Sequence, residues 1–137
     1  MNNRLETARA LTTAAEQKAA ELGIHISTTV VDDGGNVVAF SRMDGTQLAS
    51  SAISQGKAYS AVAFGRPSKD MDSVAQPGQS GYALQAIDSR FVFSGGGLPL
   101  FFGGTLTGGI GVSGGSAEQD QLCAEAALVS MEYNSSK

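Results

Sequence analysis

Tryptophan is absent from the 137 residues, cysteine and histidine occur once each, and proline occurs three times. A single cysteine, Cys123, excludes an internal disulfide and any thiolate-rich zinc or iron–sulfur centre, and it suits a reducing compartment. Nowhere do about 18 apolar residues run together, and the N-terminal MNNRLETARALTTAAEQ has no apolar signal core. The sequence therefore predicts neither membrane insertion nor export, and its expected location is the cytoplasm. Positive charge is also scarce. Nine Lys and Arg against thirteen Asp and Glu leave a net charge of −4, which argues against the phosphate neutralisation that nucleic-acid binding relies on. With 42% hydrophobic and 16% charged residues, the chain reads as one globular domain over residues 1–137. Five of the basic residues, Arg42, Lys57, Arg66, Lys69 and Arg90, fall in the middle stretch. That distribution permits a local anion site on an acidic protein.

Glycine is what the chain has in abundance. Ten of its 18 glycines lie in the 22 residues SGGGLPLFFGGTLTGGIGVSGG, 94–115. Around this block the hydrophobic periods are clear. Leu5, Ala8, Leu11, Ala15, Ala19 and Leu22 recur at helical steps and predict a helix over 3–22, with Asn3 and Glu6 as a capping box and Gly23 as its stop. HISTTVV and NVVAFSR read as a hairpin whose Asp33-Gly34 pair suits a type I′ turn. A helix is expected from Thr46, as cap, to about Ala63, with Leu48, Ala52, Gln55, Tyr59 and Val62 on one face. Gly56 costs that helix roughly 1 kcal/mol relative to alanine, a cost usually accepted where packing is close. Ser68 is expected to cap a short helix, SKDMDSVA, and QPGQSG reads as a loop. RFVFS, LPLFF and LTGGIGV have strand composition, with Gly95-Gly96-Gly97 and Gly103-Gly104 as turns between them. The last helix is expected to start with a Ser116–Gln119 capping box and to bury Leu122, Ala126 and Val129.

The order α-β-β-α-(α)-β-β-β-α, with hairpin-length links between strands, predicts an α+β sandwich: an antiparallel sheet of about five strands with helices packed on it. This weighs against a nucleotide fingerprint. Gly109, Gly111 and Gly114 satisfy G-x-G-x-x-G, but that motif needs a βαβ unit with a second strand, and the chain stops after one helix.

Four motifs taken in order, VVDDGGNVVAFSRMDG, QGKAYSAVAF, GGGLPLFF and GGIGVSGGSAEQDQLCAEAAL, resemble the GlcG/HbpS-like haem-binding family, which includes the C-terminal domain of PduO-type proteins. The resemblance spans the chain. It implies a profilin-like fold, a homo-oligomer ranging from dimer up to octamer, and a small-molecule ligand, in some members haem or a corrinoid. It also implies an accessory or sensing role near glycolate or diol metabolism.

Several residues are candidates for holding such a ligand. Lys57 is either a solvated charge or a cation for a ligand carboxylate. Arg42 is either a ligand clamp or half of a surface pair with Asp44 or Asp32. Gly96, Gly97, Gly111, Ser113 and Gly114 would leave bare backbone at the tip of the last strands, where amides before a helix make an anion nest. His25 is either an exposed residue at a strand start or an axial ligand to haem iron; Tyr59, Met43, Met71 and Tyr82 are alternatives that nothing selects among. Asp120 is explained by the macrodipole of the last helix, and Cys123 by packing. No triad or paired histidines mark an enzyme, so binding is favoured over catalysis. A small metabolite without a tetrapyrrole is one alternative ligand. A lyase- or isomerase-like activity using Lys57 and Asp120 is another reading.

Overall fold

The computed structural model describes residues 4–137, so the expected Asn3 cap lies outside the described residues. The chain runs α1 (Arg4–Leu22), β1 (Ser27–Asp32), β2 (Val37–Arg42) and α2 (Ser50–Phe64). Two single 3-10 turns follow (Ser68–Met71 and Ser73–Ala75), then α3 (Leu84–Ile87), β3 (Gly97–Phe102), β4 (Thr105–Ser113) and α4 (Ala117–Ser130). The strands form one antiparallel sheet in the order β2-β1-β4-β3.

Side-chain alternation along the two central strands decides how the layers stack, because successive residues point to opposite faces. Val30, Ile110 and Val112 join Leu11, Leu98 and Leu100 in the main core against α1 and α4. Their neighbours turn the other way: Val31 packs with Ala58 and Val62 of α2, and Gly109 and Gly111 meet the α2 backbone. The sheet is thus covered by α1 and α4 on one face and by α2 on the other. Each large side chain fully buried in the main core contributes about 1.5–3 kcal/mol. The α2 interface is built differently, from small and hydroxyl residues that bring backbone close to backbone.

Of the expected α1 stripe, Ala8, Leu11, Ala15 and Ala19 are buried and Leu22 packs against the core, while Leu5 is exposed; Gly23, at φ +73°, ends the helix with Ile24 N donating to Ala19 O and Gly23 N to Ala20 O. The Ser116–Gln119 capping box is present in both directions.

Other expectations are corrected. RFVFS is not a strand, so the sheet has four strands among the described residues rather than five. The amide of Val92 is taken by the Ser60 hydroxyl, and Phe93 is buried with Met71 and Ala75 in a satellite core that Phe91 packs against. The hairpin turn is not type I′: of its residues only Gly35 has positive φ, while Asp32 Oδ1 accepts from Gly34 N and Asn36 N. Helix α2 begins at Ser50, since Thr46 donates back to Met43 O instead of capping, and Leu48 is 81% exposed. Ser68 caps nothing; its hydroxyl donates to Ser94 O and accepts from Gly97 N. The short helix α3 was not expected. In α4 the buried face is Cys123, Ala124, Ala127 and Leu128, while Leu122 is 44% and Val129 77% exposed. Small residues of α1 (Ala8, Ala15, Ala19) share that core, which lets the helices approach closely; choosing the bulkier residues selects the wrong face.

Candidate functional site

Glycines around the end of the sheet admit α2 rather than a ligand. A Cβ on Gly111 would overlap the Ser54 carbonyl oxygen, and one on Gly97 would overlap the Lys57 carbonyl oxygen; on Gly109 it would lie 2.7 Å from Val62 and 2.8 Å from Ala58 O. Gly114, at φ +147°, is pressed against the His25 carbonyl. Hydroxyl pairs complete this interface: Ser27 Oγ to Ser50 Oγ at 2.7 Å and Thr29 Oγ1 to Ser54 Oγ at 2.8 Å. The bare backbone expected to open towards a ligand is therefore filled by the protein itself.

The same close approach buries a charge. Lys57 is 3% exposed and Asp120 2%, and they meet at Nζ–Oδ2 3.0 Å. Lys57 Nζ also donates to Val112 O at 2.9 Å, and Asp120 Oδ1 accepts from Gly115 N at 2.8 Å. A Cβ on Gly96 would stand 3.1 Å from Nζ, so glycine keeps the lysine's path clear. The pair ties α2, on one face of the sheet, to the first turn of α4, on the other. Lys57 is thus neither a solvated charge nor a cation presented to a ligand: its partner is internal. Burial pushes the Lys57 ammonium below a lysine's ordinary pKa and the Asp120 carboxyl above its own, each opposed by the charge of the other. Sequence reasoning saw Asp120 as a dipole residue and missed the pairing, because nothing local joins positions 63 residues apart.

Arg42 and His25 lie elsewhere. Both are exposed and sit at one end of the hairpin, since Arg42 pairs across the ladder with Ser27, two residues after His25. Arg42 forms no ion pair among the described residues; Asp32 is met by Arg4 at 3.7 Å instead. Ser113 ends β4 beside them, paired with Ser27, and is buried. Met43 is engaged by Ile26 N, which lies 3.4 Å from its Sδ. Phe40 is 40% exposed. Among the described residues no group of three or more His, Cys, Asp or Glu is placed to hold a metal ion, so any metal bound there would depend on few protein donors. No helix among the described residues is long and apolar enough to cross a membrane.

Two of the grooves among the described residues bear on ligand binding. One, of 480 Å³, runs between Lys69, Asp72 and Gly95 on one side and Glu118, Leu122 and Glu125 on the other. Its three carboxylates outnumber its lysine, which disfavours an anionic ligand. The other, of 560 Å³, lies between the β1–β2 turn, α2 and residues 89–92, with Tyr59 and Arg90 among its walls.

Comparison with known proteins covers nearly the whole chain. The family model described as "Haem degrading protein HbpS-like" matches residues 4–129. An uncharacterised 15.0 kDa protein of the dhaT-dhaS intergenic region in Citrobacter freundii is 42% identical over 125 residues, 90% of this chain and 88% of that protein. The corrinoid adenosyltransferase PduO of the same organism is 38% identical over 122 residues, 88% of this chain but 36% of PduO. Among solved structures, a PduOC:heme complex superposes with a TM-score of 0.93 at 33% identity, covering 96% of both chains.

Proposed function

The chain belongs to the HbpS-like family, and from that premise we propose that it binds haem at its surface, in an accessory or sensing role rather than as an enzyme. What carries the reading is the end-to-end likeness to a domain crystallised with haem, covering 96% of both chains. The residues here suit the group. The His25 imidazole is exposed, so coordinating iron would cost no internal bond. Arg42, exposed at the same end of the hairpin, is a cation for a propionate, and Phe40 offers apolar contact. Haem when bound supplies an iron centre; the protein's part is to ligate, neutralise and shield it. Lys57 and Asp120 are spent on each other, which weighs against using them as a catalytic acid and base. The corrinoid chemistry of PduO is not carried over, because the chain spans 36% of that protein.

Titration with haemin tests this reading: a saturable Soret shift near one haem per chain is expected. Its absence sinks the proposal. His25→Ala should move the band or weaken binding, and an unchanged spectrum assigns the iron to another ligand.

A further inference from the structure

The VVDDGG turn and the QGKAYS helix, which the haem reading leaves unused, converge on the 560 Å³ groove. Two glycines build its base. Gly35, at φ +81°, leaves room for the Tyr59 ring, which a Cβ would meet at 2.8 Å; Gly56 lets the 90–92 segment lie on α2, where a Cβ would overlap Val92 and stand 2.7 Å from Arg90 O. The aliphatic walls are Val31, Val37, Ala52, Ile53 and Val92. The remaining wall is formed by Tyr59 and Arg90. The Arg90 guanidinium lies 3.8 Å from the centroid of the Tyr59 ring, and Tyr59 is itself stacked with Phe91 at 5.8 Å and 24°.

One carboxylate fixes this wall. Asp88 receives Arg90 Nη2 at 2.6 Å and Nε at 3.0 Å, and the Tyr59 hydroxyl at 3.2 Å. A guanidinium so held is pre-organised as a plane, and stacking on it forfeits little side-chain freedom. Asp88 does not line the groove, nor does any other carboxylate. At the rim stand Asn36, Gln55 and Ser89, neutral groups able to hydrogen-bond a ring edge. Asn36 is anchored through its Nδ2 to Asp32.

We propose that this groove binds a planar heteroaromatic small molecule, its ring stacked on the Arg90–Tyr59 platform and its polar edge met by the amides at the rim. A flat π face suits a delocalised cation, the aliphatic walls suit the ring's remaining surface, and the volume lies within the usual range for small-ligand sites. The site is separate from the exposed His25 end and does not rest on the haem reading.

Riboflavin, whose fluorescence is quenched by stacking, is the probe. The intact protein should quench it saturably. Arg90→Ala and Tyr59→Leu should each weaken binding at least tenfold, with circular dichroism unchanged. Arg90→Lys should fail equally, since it keeps the charge and loses the plane. No saturable quenching up to about 1 mM, an affinity limit near −4 kcal/mol, overturns the proposal, as does wild-type binding by Arg90→Lys. Saturating riboflavin should leave the haemin titration unchanged. Displacement of riboflavin by haemin would make the groove part of the haem site and overturn its independence.

Discussion

Replacing Asp120 by asparagine removes one charge from a pair that has almost no contact with water. Lys57, 3% exposed, would keep the Val112 carbonyl at 2.9 Å and lose its carboxylate at 3.0 Å. Breaking a buried pair from one side typically costs about 3–5 kcal/mol, because the remaining charge is stranded. Set against a usual total of about 5–15 kcal/mol, that is roughly a fifth or more of the stability. Urea unfolding should show it as a lower midpoint at unchanged slope. Lys57→Met strands the carboxylate instead, though Gly115 N still supports Asp120, so its cost should be smaller. The double variant Lys57→Met/Asp120→Asn should recover much of the loss, giving a coupling far above that of an exposed pair. The pH dependence has a defined sign. With its counter-charge gone, burial alone acts on Lys57 and holds its folded pKa below a free lysine's 10.5, so between those values the unfolded chain binds more protons. The stability of Asp120→Asn should therefore rise with pH through that window. A cost below about 1 kcal/mol for Asp120→Asn, or strict additivity in the double variant, would refute the account of a buried, mutually dependent pair.

Two further outcomes follow from the packing. Gly111→Ala should destabilise far more than Gly103→Ala in thermal melts: the first drives a methyl into the Ser54 carbonyl, while the second, though at φ +59°, meets nothing within 4 Å and should cost about 1 kcal/mol. Equal losses would refute the close approach of α2. Cys123 is fully buried, and burial with the Asp120 charge nearby pushes its thiol up to about 11; it should stay unreactive to a thiol reagent at pH 8 until the protein unfolds, and prompt labelling of the native state would contradict the placement.

The α+β class, both long helices of the α1–α4 layer and the Ser116 cap were legible because each is set by local period or local chemistry. What was not legible depends on partners distant in sequence. RFVFS has strand composition, yet the Ser60 hydroxyl takes the Val92 amide and the phenylalanines are drawn into the Met71–Ala75 cluster. The buried stripe of α4 was misread because alanine and cysteine carry little hydrophobic signal, although helix-to-helix contact selects them for size. Lys57 and Asp120 each stand out locally in the sequence, but a charge 63 positions from its partner cannot announce the pairing.

The glycine block joins these threads. Alternation at Gly109-Ile110-Gly111-Val112 is a strand pattern: apolar side chains feed the α1–α4 core and bare positions face α2. Because α2 then rides directly on the sheet, Lys57 can reach past Gly96 to Val112 and Asp120, and Gly56 on the outer side of the same helix can receive the 90–92 segment. The glycines thus act through the helix they admit: they lock a charge beneath it and set the Tyr59–Arg90 wall above it. On this logic Gly111→Ala should disturb both, weakening riboflavin binding in the groove even if the variant remains folded. Binding at wild-type strength in a folded Gly111→Ala protein would show that the groove is built independently of the helix's seat on the sheet.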